Sequence, residues 1–122
     1  MEWPVTFHPE FELEFDELDA DVQDELLAQA SLLEAFGPRL GRPRVDTLNG
    51  SAYANMKEMR FDAADGVWRV AFAFDPEQQA ILLVAGDKSG KNEKRFYKRL
   101  IARADKRYED HLAALKKKRK RK

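Results

Sequence analysis

The stretch Trp68-Arg-Val-Ala-Phe-Ala-Phe74 decides the fold class of this chain of 122 residues. Its large apolar side chains alternate with Arg69 and two alanines. Successive side chains of a strand point to opposite faces, so this period of two predicts a strand with one bulky and one small face. After a turn at residues 75–79, the continuous apolar run of residues 80–85 predicts a strand that is buried on both faces.

A third strand is predicted on the other side of this stretch, at residues 55–61. Residues 62–66, Asp-Ala-Ala-Asp-Gly, separate it from the central strand and have the composition of a tight turn. Three strands in sequence with short turns between them predict an antiparallel meander.

Two helices are predicted before the meander, after a short first strand at residues 3–7. Residues 10–18 carry apolar side chains at i, i+4 and i+7, the stripe of a short helix. A second helix is expected to start at a cap, Asp19 or Asp21, and to end at the Gly-Pro step of residues 37–38.

A long amphipathic helix is predicted after the meander, with its start between Ser89 and Glu93. Residues 116–122 are all Lys or Arg, and a block of like charges is expected to be a disordered basic tail. Residues 1–115 then form one α+β domain, a mostly antiparallel sheet packed by two N-terminal helices and a C-terminal helix.

Length and composition exclude several classes of protein. Single domains cluster at roughly 100–150 residues, so one domain is expected. The chain has no cysteine, which excludes a disulfide scaffold. No run approaches the ~20 apolar residues of a membrane span and the N-terminus lacks a signal pattern, so we expect a cytoplasmic protein without a membrane partner.

The net charge of zero hides a strong asymmetry along the chain. Residues 1–38 contain eleven acids and no Lys or Arg, whereas residues 86–122 contain sixteen bases and five acids. This asymmetry indicates contact of the basic end with a polyanion, and of the acidic end with a basic partner. The alternative is that the two ends are solvated helix faces that pair with each other.

Metal and nucleophile chemistry find little support in the sequence. With no cysteine, and with His8 and His111 far apart along the chain, a zinc site is not expected and both histidines are expected at the surface. The spacings of a nucleophile elbow and of a phosphate-binding loop are absent. We expect no cofactor.

A stripe of charged residues on the predicted sheet is the candidate site. Glu58 and Arg60 share one strand face, and Arg69 is the only charge in its strand. A buried, unpaired charge costs several kcal/mol, so Arg69 either pairs with Glu58 or lines an open groove. Together with Lys88 and Tyr97 these residues could converge on one concave surface. The alternative is a structural Glu58–Arg69 salt bridge with the other residues exposed.

The loop of residues 37–44 is rich in Gly and Pro and carries Arg39, Arg42 and Arg44. Three guanidinium groups on a stiff loop suit phosphate contacts. Pairing of these arginines with the acidic helices is the alternative.

Taken in order, these segments resemble the RelE/ParE superfamily of bacterial toxins, most closely its phage-derived, HigB-like branch. Three elements carry the resemblance: Leu-x-Gly at residues 48–50 before a strand with Glu-x-Arg at 58–60, the aromatic-Arg-hydrophobic strand, and the Gly-x-Lys step at 86–88 into a helix. The similarity covers residues 3–115.

The resemblance implies the toxin of a type II toxin–antitoxin system, a metal-independent endoribonuclease that cleaves mRNA, commonly on the ribosome. Its implied partners are mRNA, the ribosome and a cognate antitoxin, a helix-turn-helix protein similar to HigA. It implies a catalytic set of Glu58, Arg60, Arg69, Lys88 and Tyr97, and RNA contacts at Arg39, Arg42, Arg44, Lys57, Lys91, Lys94 and Arg95.

Roles within the implied catalytic set follow from acid–base chemistry. Arginine cannot act as the base because its pKa exceeds about 12. Glu58 is the best base, Arg60 and Arg69 stabilise charge on phosphorus, and Lys88 or Tyr97 protonates the leaving oxygen, better with a lowered pKa. Two other functions stay open: a ParE-like protein that inhibits DNA gyrase, and an RNA-binding module without activity.

Overall fold

The computed structural model describes residues 2–120. Its elements are, in chain order, β1 (Val5–Phe7), α1 (Pro9–Asp16), α2 (Ala20–Phe36), a 3-10 turn (Gly37–Arg39), β2 (Val45–Thr47), β3 (Met56–Ala63), β4 (Gly66–Phe74), β5 (Ala80–Asp87) and α3 (Glu93–Lys120). The five strands form one sheet in the order β1-β5-β4-β3-β2. The predicted α+β class, with a mostly antiparallel sheet and three packing helices, is confirmed.

The meander β3-β4-β5 is antiparallel throughout, and the short β1 lies parallel to the start of β5. Strand β2 was not predicted. It pairs antiparallel with β3 and places Asp46 opposite Glu58. A strand of three residues is too short to show a period of two, so no alternation marks it along the chain.

The alternation along β4 divides the core into two layers. Val70 and Phe72 face α1 and α2, whereas Ala71 and Ala73 face α3. The small alanines and Gly86 let α3 lie close to the sheet. A Cβ atom on Gly86 would lie 2.8 Å from the Phe96 ring. The sheet therefore fixes the start of α3 above β4 and β5.

The histidines were wrongly expected at the surface. His8 is 6% exposed and caps α1, with its Nδ1 accepting a hydrogen bond from the Glu10 backbone N–H at 3.1 Å. His111 Nε2 lies 2.8 Å from the buried carboxylate of Asp75. Each ring serves as a hydrogen-bonding group at a chain reversal, which a linear sequence pattern does not show.

The N-terminal helix boundaries agree with the predicted ones. Asp19 stands at the N-cap of α2 without a side-chain capping bond, and Gly37 ends the helix with φ of 56°. A residue with a Cβ rarely adopts that backbone conformation, which accounts for glycine at this step.

Helix α3 is longer than predicted. Residues 116–120, expected in a disordered tail, continue α3 to Lys120, while residues 121 and 122 lie outside the described residues. Basic side chains in the last turn of a helix interact favourably with its dipole, which favours this extension.

Helices α1 and α3 are joined by one buried guanidinium. Arg107 Nη1 donates to Glu14 Oε1 and to the Leu83 carbonyl, both at 2.8 Å. Strand β1 pairs with β5 only as far as Leu82, so Arg107 satisfies the next carbonyl on that edge.

Within residues 2–120, no helix is both long and apolar enough to cross a bilayer.

Candidate functional site

The carboxylate of Glu58, on β3, is the centre of a buried polar cluster. Its side chain is 5% exposed. The Tyr97 hydroxyl donates to Oε1 at 2.8 Å, and Arg60 Nη2 donates to Oε2 at 3.2 Å. Arg69 Nε lies 3.6 Å from Oε1 and donates to the Tyr97 hydroxyl at 3.3 Å. We call Glu58, Arg60, Arg69 and Tyr97 the Glu58 cluster.

The register of the sheet builds this cluster. Arg60 on β3 and Arg69 on β4 are direct cross-strand partners. Like charges opposite one another destabilise a strand pair, so this pair needs a counter-charge. Glu58 supplies it from two residues earlier on the same face of β3. Tyr97, in the second turn of α3, covers the carboxylate from above.

Asp46, on the unpredicted strand β2, extends the cluster toward solvent. Its Oδ2 lies 3.4 Å from Arg60 Nη2 and 3.5 Å from Arg42 Nε. Arg60 is therefore held between two carboxylates, those of Asp46 and Glu58. Sequence reasoning missed Asp46 because β2 was not recognised, and the pairing of β2 with β3 brings Asp46 to the cluster.

A cavity of about 480 Å³ opens beside the cluster. Three arginines line it, Arg44, Arg60 and Arg69, together with Gln29 and the carboxylates of Glu25 and Asp62. The Nε of Arg60 is buried and has no hydrogen-bond partner among the described residues. Guanidinium groups that converge on an open space, with a donor left over, suit an anion with several oxygen atoms.

The pKa of Tyr97 departs from the expectation for a proton donor. Burial raises the pKa of this phenol, and the hydrogen bond to Glu58 adds to the increase. A lowered pKa would favour Tyr97 as the proton donor, and the shift of its pKa is in the other direction. Its pKa above the ordinary value makes the hydroxyl a stable donor to Glu58.

Lys88 adjoins the cluster without contacting Glu58. Its ammonium lies 5.8 Å from the centre of the Tyr97 ring and forms an ion pair with Glu93 at 2.8 Å. The structure thus brings four of the five predicted catalytic residues into direct contact and places the fifth beside them.

The predicted RNA contacts are more dispersed. Arg39, Arg42 and Arg44 are all exposed, and of these Arg44 lines the cavity. Lys57 lies on the opposite face of β3 from Glu58, because side chains alternate along a strand. The remaining contacts lie on or just before α3: Lys94 is exposed, and Lys91 and Arg95 line a separate groove beside β5.

One group of side chains has the composition of a cation site. His8, Glu10 and Asp110 place ligand atoms within 4.8 Å of one another. Arg107 Nε lies 3.9 Å from Glu10 and already brings a positive charge to this group, which opposes a second cation. We assign no metal to it.

Comparison with known proteins places this chain in a family. The family described as "Phage derived protein Gp49-like (DUF891)" matches residues 13–109. A Mycobacterium tuberculosis protein named as toxin HigB3 is 47% identical over 110 residues, which cover 90% of this chain and 94% of that protein.

Two further likenesses differ in extent. A second protein of the same organism, named as toxin HigB2, is 42% identical over 97 residues, 79% of this chain and 48% of that protein. The chain thus spans about half the length of that relative. A double mutant of the E. coli toxin RelE in the free state has a TM-score of 0.59, over 84% of this chain and 96% of that chain. At 14% identity, this shows a shared fold. The chain belongs to the phage-derived Gp49-like family and is a HigB-like toxin with the fold of RelE.

Proposed function

We propose that this toxin is a metal-independent endoribonuclease that cleaves mRNA on the ribosome, with its active site at the Glu58 cluster and Lys88. One observation carries the proposal. Arg60 and Arg69 stand side by side at the rim of a cavity, with the buried Arg60 Nε unpaired. A phosphodiester supplies the acceptor oxygens that these donors lack.

Cleavage requires the 2′-OH to lose a proton as its oxygen attacks phosphorus. Glu58 is the base in this proposal. Its Oε2 accepts one hydrogen bond from Arg60, and a carboxylate oxygen has a further lone pair. When phosphate draws the two guanidinium groups toward itself, the carboxylate becomes free to take the 2′-OH proton.

Arg60 and Arg69 stabilise the negative charge that develops on the oxygen atoms bound to phosphorus. Donors aimed at developing charge in a site shielded from water are often worth about 10²–10³ in rate each. The 2′-oxygen forms its bond to phosphorus, the bond from phosphorus to the 5′-oxygen breaks, and the product carries a 2′,3′-cyclic phosphate.

The 5′-oxygen leaves with a proton, and we assign its donation to Lys88. The raised pKa of Tyr97 makes its hydroxyl a weaker acid, while its hydrogen bond to Glu58 fixes the carboxylate. Tyr97 therefore positions the base, and the ammonium of Lys88, beside the Tyr97 ring, faces the same site.

Exposed bases extend the RNA contact beyond the active site. Arg44 at the cavity, and Lys91, Lys94 and Arg95 near the start of α3, are suited to backbone phosphates of mRNA or ribosomal RNA. Such contacts carry no base specificity and weaken with salt. A cognate antitoxin of the helix-turn-helix type, similar to HigA, would hold the toxin inactive.

The test compares wild type with Arg69→Ala and Glu58→Ala. Induction of the wild type should arrest growth, and purified protein should cleave mRNA in a translating extract to fragments that end in a 2′,3′-cyclic phosphate. Both variants should lose cleavage while keeping the wild-type circular dichroism spectrum. Lys98→Ala is a matched control, because it removes an exposed charge from α3 outside the cluster.

Three results would count against the proposal. Full toxicity of Arg69→Ala would remove the site assignment, and fragments that end in a 3′-hydroxyl would remove the proposed attack by the 2′-OH. Growth arrest with intact mRNA and inhibited DNA supercoiling would indicate a gyrase inhibitor instead.

A further inference from the structure

A second cavity, of about 450 Å³, lies on the other side of α3 from the Glu58 cluster. Tyr97 reaches Glu58, whereas the adjacent Phe96 lines this second cavity. Residues 84–86 of β5 also line it. Successive side chains of a strand point to opposite faces, so three consecutive residues share a cavity only at the edge of the strand. We call this cavity the β5-edge groove.

The edge of β5 in this groove is open. Strand β1 pairs with β5 over residues 80–82 and ends at Phe7, opposite Leu82. Beyond Leu82, no strand among the described residues lies on that side of β5. An open strand edge presents backbone N–H and C=O groups that a further extended segment can pair with.

The groove is strongly basic. Lys91, Arg95, Arg99 and Arg103 line it at intervals of four residues. All four are exposed, and within residues 2–120 none has a carboxylate oxygen within 4.0 Å. Their side chains surround an apolar floor of Phe96 and Leu100.

The next base in this series shows which groups such a side chain binds at this edge. Arg107, four residues after Arg103, is paired with Glu14 of α1 and binds the Leu83 carbonyl at the same edge of β5. An acidic side chain beside the β5 edge thus already satisfies one member of the series. Arg99 and Arg103 line a cavity with Glu10 and Glu14, but among residues 2–120 neither has a carboxylate oxygen within 4.0 Å.

The spacings of a helix and a strand match here. Bases four residues apart on a helix are separated by about 6 Å along its axis. Alternate residues of a strand are separated by about 6.6 Å. A strand whose acids alternate with apolar residues can therefore place successive carboxylates on successive bases of α3.

We propose that the β5-edge groove binds an extended, acidic segment of a protein partner, which adds to the sheet as a strand beside β5. Its carboxylates pair with Arg95, Arg99 and Arg103, and apolar side chains pack on Phe96 and Leu100. An RNA backbone would also satisfy the arginines, but it has no ladder of amide groups for the strand edge. The groove shares Lys91 and Arg95 with the proposed RNA contacts but no residue with the Glu58 cluster, so the proposal does not depend on RNA cleavage.

The test uses a labelled synthetic decapeptide in which Glu alternates with Val, with binding to the full chain measured by fluorescence anisotropy. The wild type should bind it, and should bind a peptide with Lys in place of Glu at least about tenfold more weakly. Arg95→Glu combined with Arg99→Glu should weaken binding about tenfold, since each reversal replaces a surface attraction by a repulsion. Lys117→Glu combined with Lys118→Glu makes the same change in net charge at exposed positions outside the groove and should leave the affinity within about twofold.

Backbone methylation of the peptide separates strand addition from simple charge attraction. N-methyl groups on alternate residues remove the N–H donors of one edge and should weaken binding about tenfold, because several ladder bonds are lost. No binding of the Glu-Val peptide would overturn the proposal. Equal binding of the methylated peptide, with displacement by a ten-nucleotide oligodeoxynucleotide, would assign the groove to nucleic acid. Both results are independent of the mRNA cleavage assay.

Discussion

Two arginine–glutamate networks in this protein use the same chemistry for different ends. Arg107 is 7% exposed on its side chain, and its guanidinium is occupied by Glu14 and the Leu83 carbonyl, with Glu10 nearby. Arg60 is 31% exposed, and its Nε has no partner although two carboxylates lie near its Nη2. In the first network, the guanidinium on α3 donates hydrogen bonds to α1 and to the sheet. The second keeps a donor available beside a cavity.

This difference separates a structural ion pair from a binding site. A buried charge pair adds to stability only when its geometry and remaining hydrogen bonds are complete. Arg107 meets that condition. Arg60 does not meet it, because its buried Nε has no acceptor. A buried donor without a partner costs free energy, and a ligand that supplies an acceptor would remove this cost. Replacement of each arginine by alanine in turn tests this view.

The largest effect is expected for Arg60→Ala. Loss of one guanidinium from the phosphate site should lower the rate of mRNA cleavage by about 10²–10³. The free energy of unfolding should change by less than about 1 kcal/mol, because Tyr97 and Arg69 still hold the Glu58 carboxylate and the like-charge contact between Arg60 and Arg69 is removed. Cleavage kinetics and urea unfolding of the same preparation measure both quantities. A large loss of stability would make Arg60 a structural residue like Arg107.

Arg107→Ala should show the opposite pattern. Its removal leaves the Leu83 carbonyl and Glu14 without their donor and should cost about 3 kcal/mol of unfolding free energy. Cleavage per folded molecule should remain at the wild-type rate. Lys106→Ala is the control, since it breaks an exposed pair with Asp110 and should cost less than about 0.5 kcal/mol. Equal effects of the two variants would contradict the role of Arg107 as a tie between α1 and α3.

Tyr97→Phe should reduce cleavage by about tenfold, the equivalent of one hydrogen bond to a charged group. The pKa of Tyr97 is raised above its ordinary value of 10.0, so the hydroxyl stays protonated through the neutral range. The pH–rate profiles of the wild type and this variant should therefore have the same shape up to that pH. A change in the alkaline limb would show instead that Tyr97 donates the proton.

The smallest effect is expected for Glu14→Gln and depends on pH. The hydrogen bond from Arg107 holds the pKa of Glu14 below its ordinary value of 4.5. A lowered folded-state pKa contributes stability above the unfolded-state pKa, and this contribution is lost as the pH falls through the folded-state value. Glu14→Gln should thus be less stable at neutral pH, and its curve should approach that of the wild type below pH 4.5. Parallel curves through this window would disprove the linkage.

The centre of the molecule was predictable from the sequence because its pattern is local. The alternation in residues 68–74 set both faces of β4, and the isolated charge of Arg69 called for a partner, which Glu58 provides. The open choice between a salt bridge and a groove has a combined answer, since Arg69 both pairs with Glu58 and lines the cavity.

The parts that sequence reasoning missed depend on distant contacts. Glu14 and Arg107 are separated by 93 positions, and no local period links them. Their pair means that the acidic and basic ends do meet, as one alternative held, but only through this part of α1 and α3. Asp46 was missed for a related reason, because its role appears only once β2 is paired with β3.

The order in which this chain is made gives the position of α3 a further meaning. Glu58 and Tyr97 are 39 residues apart, and Arg107 follows still later. During synthesis, the strands with Glu58, Arg60 and Arg69 leave the ribosome before the helix that covers them. If the toxin attacks translation as proposed, its nascent form lacks a complete site until α3 has been made and has folded onto the sheet. The positioning of Glu58 by Tyr97 thus links activity to the completion of the domain.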